Sequence, residues 1–385
     1  MSERLDPATI AVRAGLESDP ATGAVVPPIH LTSNFAFRAF GEKGKYDYTR
    51  SGNPTRDLLA DALTALEQGS GAVITSTGMS AIALVGHLFP VGSLIVAPHD
   101  CYGGTFRLFT AWHKRGELRV QFVNFDDDRA LSAALAARPA LLWIETPSNP
   151  LLRITDIAAL AARGRAVGAV VAVDNTFLSP AWQLPLTLGA DLVVHSTTKY
   201  LNGHSDVVGG AVVAANKETA GQLGWWANCL GVSGAPFDSF LTLRGIRTLQ
   251  ARLDVHGRNA QAIAGFLYGH PKVSKLFYPG LPSHPGHALA QRQQKGFGAI
   301  VTVELKGGTR AVAQFVDGLK LFSLAESLGG VESLVAHPAT MTHAAMEPAD
   351  RTAAGLTDGL LRLSIGIENG GDLIADLSAG LDRIS

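Results

Sequence analysis

Cysteine is scarce: Cys101 and Cys229 are the only two among 385 residues. Two cannot build a disulfide framework in a chain this long, and with no CxxC spacing neither belongs to a zinc-binding pair. So few thiols suit a reducing compartment. An excess of charge is also missing. The chain has 32 basic and 33 acidic residues for a net charge of -1, with no long run of either sign. It therefore offers no electrostatic footprint for nucleic acid and no basic face for a membrane. No apolar run approaches the ~18 residues of a spanning helix, and the opening MSERLDPATIAVRAG has no signal-peptide core. The expectation is a soluble, cytoplasmic protein that acts on small molecules. GxGxxG and GxxxxGKS/T are absent too, which argues against a dinucleotide or a nucleoside triphosphate.

What is present is apolar sequence in short, ordered pieces. Hydrophobic residues make up 46% and charged residues 17%, enough to bury a large core and the opposite of a disordered composition. At ~150 residues per domain the length suggests two or three domains. Residues 1–60 are rich in Gly, Pro and turn residues and read as an extended arm. From 61 to 256, runs such as GAVITSTG, SLIVAPHD, RVQFVNFD, ALLWIETPSNP, GAVVAVDNT and ADLVVHSTTK alternate with helical stretches. Continuous β-rich runs without polar alternation indicate strands buried on both faces, hence a mostly parallel sheet covered by helices. The stretch 235–268 reads as one long helical connection. Residues 257–385 mix strand-like KVSKLFYP, GAIVTVEL and LLRLSIGI with helical TRAVAQFVDGL and DLIADLSAGL, a smaller α+β domain.

Functional residues of parallel α/β sheets gather at the carboxyl ends of strands. Here those ends carry Ser76-Thr77-Gly78-Met79, His99-Asp100-Cys101-Tyr102, Glu145 through Asn149, Asp174-Asn175, and Ser196 through Lys199. A lysine closing an apolar strand is partly desolvated, which favours the neutral, nucleophilic amine. An acid closing GAVVAV needs a charged or donating partner, and a pyridinium N–H is one. Gly78 at a helix start permits close approach of an anion to free amides, with hydroxyls of Ser196 and Thr198 as further donors. Tyr102 can stack on a planar ring. Each signal alone has an ordinary reading: a surface lysine, a helix-capping acid, turn hydroxyls, a core tyrosine. Their joint order along one sheet points to pyridoxal phosphate. The pairs His195/His204 and His337/His343 invite a metal. Neither pair has a carboxylate at ligand spacing, so none is expected.

The motifs YTRSGNPTRD, TGMSAI, APHDCYGGTFRLF, ETPSNPLLRI, VDNTFLSP, HSTTKYLNGHSDVVGG, LAESLGGVESL and LLRLSIGIE run nearly the whole length. On them the chain resembles the Cys/Met-metabolism family of pyridoxal-phosphate enzymes. The resemblance implies the fold-type I, aspartate aminotransferase-like α/β architecture. It implies an aldimine at Lys199, pairing of Asp174 with the pyridine nitrogen, stacking and proton movement by Tyr102, and phosphate contacts from Gly78, Met79, Ser196 and Thr198. Tyr48 and Arg50 would reach the phosphate from a neighbouring subunit, so the family pattern implies an active dimer, usually paired into a homotetramer. Asn149, Ser327 and Arg362 would bind the cofactor oxygen and the substrate α-carboxylate, for which the planar Arg fork is suited. Asp47 and Arg107 match positions near the distal end of the substrate. Glu326 matches an acid associated with γ-directed chemistry. The implied activity is γ-replacement of O-succinyl-L-homoserine with L-cysteine. Ser51, where some relatives have a second arginine, leaves γ-elimination open, and replacement by sulfide is a further alternative within the family.

Overall fold

The computed structural model describes residues 5–341 and 355–385. By packing the chain divides into two compact units. One comprises Met1–Ser93, Ala140–Leu142 and Ile157–Gln250; the other comprises Leu94–Pro139, Trp143–Asp156 and Ala251–Ser385.

The first sheet has seven strands: β1 (Gly71–Thr75), β2 (Leu94–Pro98), β3 (Arg119–Val123), β4 (Leu141–Glu145), β5 (Val170–Asp174), β6 (Leu192–Ser196) and β7 (Gly210–Ala214). Their order is β1-β7-β6-β5-β4-β2-β3. β5 pairs parallel to β6, and β2 parallel to β3. β7 alone is inserted against its neighbours' direction, antiparallel to both β1 and β6. Every residue of β2, β4 and β7 is buried, the condition that produces apolar runs without alternation. β3 closes the sheet, and its residues Arg119 and Gln121 are exposed, as an edge strand requires to discourage further pairing. The mostly parallel α/β sheet is as expected from sequence. β7 is an addition: it follows β6 with no helix between them, so the strand–helix rhythm that reveals the other six does not mark it.

The second sheet is smaller. It contains β8 (Val273–Phe277), β9 (Ile300–Leu305), β10 (Ser323–Leu324), β11 (Leu334–Ala336) and β12 (Leu360–Ser364) in the order β10-β11-β12-β9-β8. The expected strands KVSKLFYP, GAIVTVEL and LLRLSIGI are β8, β9 and β12. The expected single helix over 235–268 is instead two, Pro236–Ile246 and Leu249–Leu267. Close packing accompanies the end of the first: a Cβ on Gly245 would lie 2.1 Å from the Asn202 carbonyl oxygen.

Local signals explain why the helices start where they do. Asn53 caps Pro54–Glu67 by accepting the amides of Thr55 and Arg56, with Pro54 at the first helical position. The buried face of that helix carries Leu59, Ala62, Leu63 and Leu66. In the other unit, Phe109 meets Trp143 edge to face at 5.7 Å, both nearly free of solvent. Leu63 has no exposed surface, so Leu63→Ala should cost about 2–5 kcal/mol through lost burial and a residual cavity. A clear drop in the thermal unfolding midpoint checks this; an unchanged midpoint would contradict the packing described.

Candidate active site

The five strand-end groups stand where the sequence puts them. Ser76 follows β1 and His99 follows β2, while Glu145, Asp174 and Ser196 are the last residues of β4, β5 and β6. In the first compact unit, a chain of contacts links three of the candidates. The Asp174 carboxylate accepts the Thr176 amide at 2.9 Å, and the Thr176 hydroxyl accepts the Ser196 amide at 2.9 Å. Ser196 in turn packs on Gly78, where a Cβ would lie 2.9 Å from the Ser196 Cβ and 3.1 Å from its hydroxyl. Only glycine fits there.

Gly78 and Met79 open the helix Gly78–Gly86. Thr77 caps it by accepting the Ser80 amide at 2.9 Å. The first amides of a helix have no partner within it, so those of Gly78 and Met79 are donors available to an anion, backed by the helix dipole. A second glycine keeps this turn narrow: a Cβ on Gly210 would sit 2.2 Å from the Thr77 carbonyl oxygen. Thr198 is occupied differently from a simple phosphate donor. Its hydroxyl accepts the Gly209 amide at 3.0 Å and donates to the Gly209 carbonyl at 3.3 Å. Lys199, half-buried, follows in the turn after β6, its amide donating to the Ser196 carbonyl.

Burial raises the Asp174 pKa, partly offset by hydrogen bonds from Thr176 and by the charge of His195. A carboxylate desolvated in this way is stabilised by a cationic N–H donor, and a protonated pyridine nitrogen is such a donor. Asp174, the helix-start amides and an amine at Lys199 make a donor and acceptor set that fits pyridoxal phosphate.

The second compact unit holds Tyr102, Arg107, Asn149, Glu326, Ser327 and Arg362. Arg362, on β12, is buried, and its guanidinium donates to the Asn149 side-chain oxygen at 3.0 Å and to the Ser327 carbonyl at 2.8 Å. These two acceptors orient the planar fork, whose shape suits a carboxylate. Ser327 has φ of 97°, a conformation that a non-glycine residue adopts only when its surroundings impose it. Tyr102 precedes the helix Gly103–Arg115. Its phenol pKa is raised by desolvation and then by the nearby Glu326 carboxylate, against the lowering influence of Arg107 and Arg362. These four side chains share one electrostatic neighbourhood.

Tyr48, Arg50 and Asp47 belong to the segment before Pro54. Arg50 places its guanidinium 5.4 Å from the centre of the Tyr48 ring and donates to Asn228 at 3.0 Å. Both side chains are exposed. Asp47 accepts the Ser51 hydroxyl at 2.7 Å and the Tyr48 amide at 2.7 Å, which hold its carboxyl below the usual range. Of the histidines considered for a metal, His195 meets Glu67 at 2.6 Å, and His204 and His337 bond Asn202 and Thr340. His343 lies outside the described residues. Among the described residues no group of three His, Cys, Asp or Glu could hold a metal ion.

Sequence reasoning named Glu145 without giving it a task. Its carboxylate accepts the Tyr102 amide at 2.6 Å and the Trp143 indole N–H at 3.0 Å, so it fixes the backbone that carries Tyr102. The signal available was its strand-terminal position in ALLWIE, but nothing in the sequence names its partner.

The chain matches known proteins over almost all of its length. The family model described as Cys/Met metabolism PLP-dependent enzyme covers residues 8–382. Cystathionine gamma-synthase of Escherichia coli K12 is 59% identical over 374 residues, 97% of each chain. Cystathionine gamma synthase from Xanthomonas oryzae pv. oryzae, solved in complex with cystathionine, superposes with a TM-score of 0.98 at 62% identity, covering 99% of this chain and 98% of that one. Cystathionine gamma-lyase of Bacillus subtilis 168 is 44% identical over 376 residues, 98% of this chain and 99% of its own.

Gly78→Ala must displace Ser196 or the amide that faces it. Losing a charge-assisted bond of about 1.5–3 kcal/mol should weaken pyridoxal-phosphate affinity by about ten-fold or more. Equilibrium dialysis against the cofactor measures this. Unchanged affinity would remove the helix start from the phosphate site.

Proposed function

The chain belongs to the Cys/Met metabolism PLP-dependent enzyme family, and from that premise we propose that it catalyses γ-replacement on an activated homoserine ester, turning O-succinyl-L-homoserine and L-cysteine into L-cystathionine and succinate. The observation that carries this reading is the buried Arg362 fork held on Asn149 and the Ser327 carbonyl, with Tyr102 under the influence of Arg107 and Arg362 and of the carboxylates Glu326 and Glu145. O-Succinyl-L-homoserine has a carboxylate at each end and an ammonium beside one of them. A buried, held arginine suits the α-carboxylate, and the exposed Arg107 suits the succinyl carboxylate.

Pyridoxal phosphate, when bound, supplies the electron sink that stabilises negative charge developing next to the substrate nitrogen. Gly78, Met79 and Ser196 would hold its phosphate, Thr198 would shape that pocket through Gly209, and Asp174 would keep its ring nitrogen protonated. Lys199 would hold its aldehyde carbon and, once released by the substrate amine, its Nζ is the base for the proton at Cα and then for one at Cβ. Arg362, with Asn149 and Ser327, would hold the α-carboxylate of the substrate. The Cγ–O bond breaks and succinate leaves with its electron pair; the cysteine thiolate then forms the Cγ–S bond, and the protons return to Cβ and Cα. Desolvation and Glu326 push the Tyr102 phenol up from its ordinary value, and its exposed ring suits it to stack on a planar ring and to pass a proton.

Tyr48 and Arg50 are read as completing the phosphate site of a neighbouring subunit, and their exposed stacked pair supports that role. The assembly proposed is a dimer that carries the active sites, two of them pairing into a homotetramer. The three-part division at 1–60, 61–256 and 257–385, and a place in the cytoplasm, belong to the same proposal. Among the described residues no helix is long and apolar enough to cross a membrane. A second reading is γ-elimination from cystathionine, kept by Ser51, whose hydroxyl on Asp47 stands where an arginine would bring charge.

Product analysis separates the two. With O-succinyl-L-homoserine and L-cysteine offered together, cystathionine should accumulate; 2-oxobutanoate and cysteine formed rapidly from cystathionine would favour elimination. Lys199→Ala should lose the cofactor's visible absorption and turn over at least about 10²–10⁴-fold more slowly. Normal turnover in that variant refutes the assignment.

A further inference from the structure

Glu67 ends the helix Pro54–Glu67 and has no exposed surface. One of its oxygens, Oε1, meets His195 Nε2 at 2.6 Å and accepts the Asn175 side-chain N–H at 2.9 Å. Gln183 completes the cluster: its side chain donates to the Asn175 oxygen at 3.0 Å, and its carbonyl accepts from Asn175 at 2.9 Å. All four residues are buried. The cluster is only partly satisfied, since Glu67 Oε2 and His195 Nδ1 are buried with no hydrogen-bond partner among the described residues.

Such an arrangement is a poor way to hold a fold together. Desolvating an acid and an imidazole costs several kcal/mol, and apolar residues of the same volume often serve stability as well or better. Its location gives another reason for it. Asn175 directly follows Asp174, and His195 directly precedes Ser196. β5 and β6 run side by side in parallel, with Asp174 opposite Val194, and the Asn175 amide donates to the Val194 carbonyl at 3.0 Å. Successive side chains of a strand point to opposite faces. The residues gripped by Glu67 therefore alternate with the two that carry the ring acid and the phosphate hydroxyl. The charge of His195 also acts on Asp174, favouring its ionised form.

We propose that Glu67 is a positioning residue for Asp174, its buried carboxylate gripping Asn175 and His195 from the far side of β5 and β6 so that Asp174 is held toward the pyridine nitrogen. The inference rests on the reading of Asp174 as the partner of that nitrogen. Glu67 touches neither cofactor nor substrate; it acts through the strand ends it fixes. His195 is the partner of Glu67 Oε1, and Gln183 sets the orientation of Asn175.

A double-mutant cycle on the holoenzyme tests this, with pyridoxal-phosphate affinity by equilibrium dialysis and the visible absorption band as readouts. Glu67→Gln keeps the shape and removes the charge. Alone it should weaken cofactor affinity by about ten-fold, as loss of an outer partner of a cofactor-holding group does, and shift the band. In an Asp174→Asn background the same change should weaken affinity less than about two-fold, because the residue it acts through is already neutral. Equal effects in both backgrounds would overturn the proposal and leave Glu67 a structural residue. Unchanged affinity in Asp174→Asn alone would instead sink the assignment of Asp174, and this inference with it. Should Glu67→Gln not fold, Gln183→Met removes the bond to Asn175 at similar volume; it should show the same dependence on Asp174, and its absence would overturn the proposal.

Discussion

A carboxylate at the closed end of an apolar strand sets the terms for this protein. Asp174 terminates Val170–Asp174, whose preceding residues Val171, Ala172 and Val173 are buried, and desolvation raises its pKa. An acid in that position is stabilised by accepting hydrogen bonds and by facing positive charge. The protein supplies the first through Thr176 and part of the second through His195. The remaining demand matches a protonated heterocycle, which in turn needs an acid to stay protonated. In the pairing proposed for Asp174, cofactor and chain would each relieve a cost carried by the other.

The anion end of the site follows from the same economy of backbone. A helix start provides donors without side chains, so the price is steric. Residue 78 has to be small enough to lie on Ser196, and residue 210 small enough to lie on the Thr77 carbonyl. The substrate-directed residues solve a different problem. Arg362 is buried, and Asn149 and the Ser327 carbonyl orient its planar fork. In the role proposed for it, that fork would meet a carboxylate in a bidentate pair.

Much of this was legible in the chain. The strand ends at Glu145, Asp174 and Ser196 lie where apolar runs stop, because a strand buried on both faces admits polar residues only at its ends. Glycine before an apolar helix marked the turn at Gly78. Other features were not legible for definite reasons. β7 was missed because it arrives without the helix that accompanies its neighbours, and the break between Ile246 and Leu249 has no proline or glycine cluster to announce it. Nothing in the sequence names the partners of Glu145 and Glu67, since Tyr102 and His195 are 43 residues before the one and 128 after the other.

The sequence by itself determined the strands, the residue types at their ends, and through its motifs the family and cofactor chemistry. These depend on local pattern: which positions are apolar, where the pattern stops, and which side chain stands at the stop. Only the tertiary structure decided which oxygen each donor meets. It put Thr198 on Gly209, Glu145 behind Tyr102, and Glu67 behind the strand ends that carry Asp174 and Ser196. Those pairings join residues brought close by chain reversals and strand crossovers, and a hydrogen bond a few ångströms long depends on that final geometry, not on spacing along the chain.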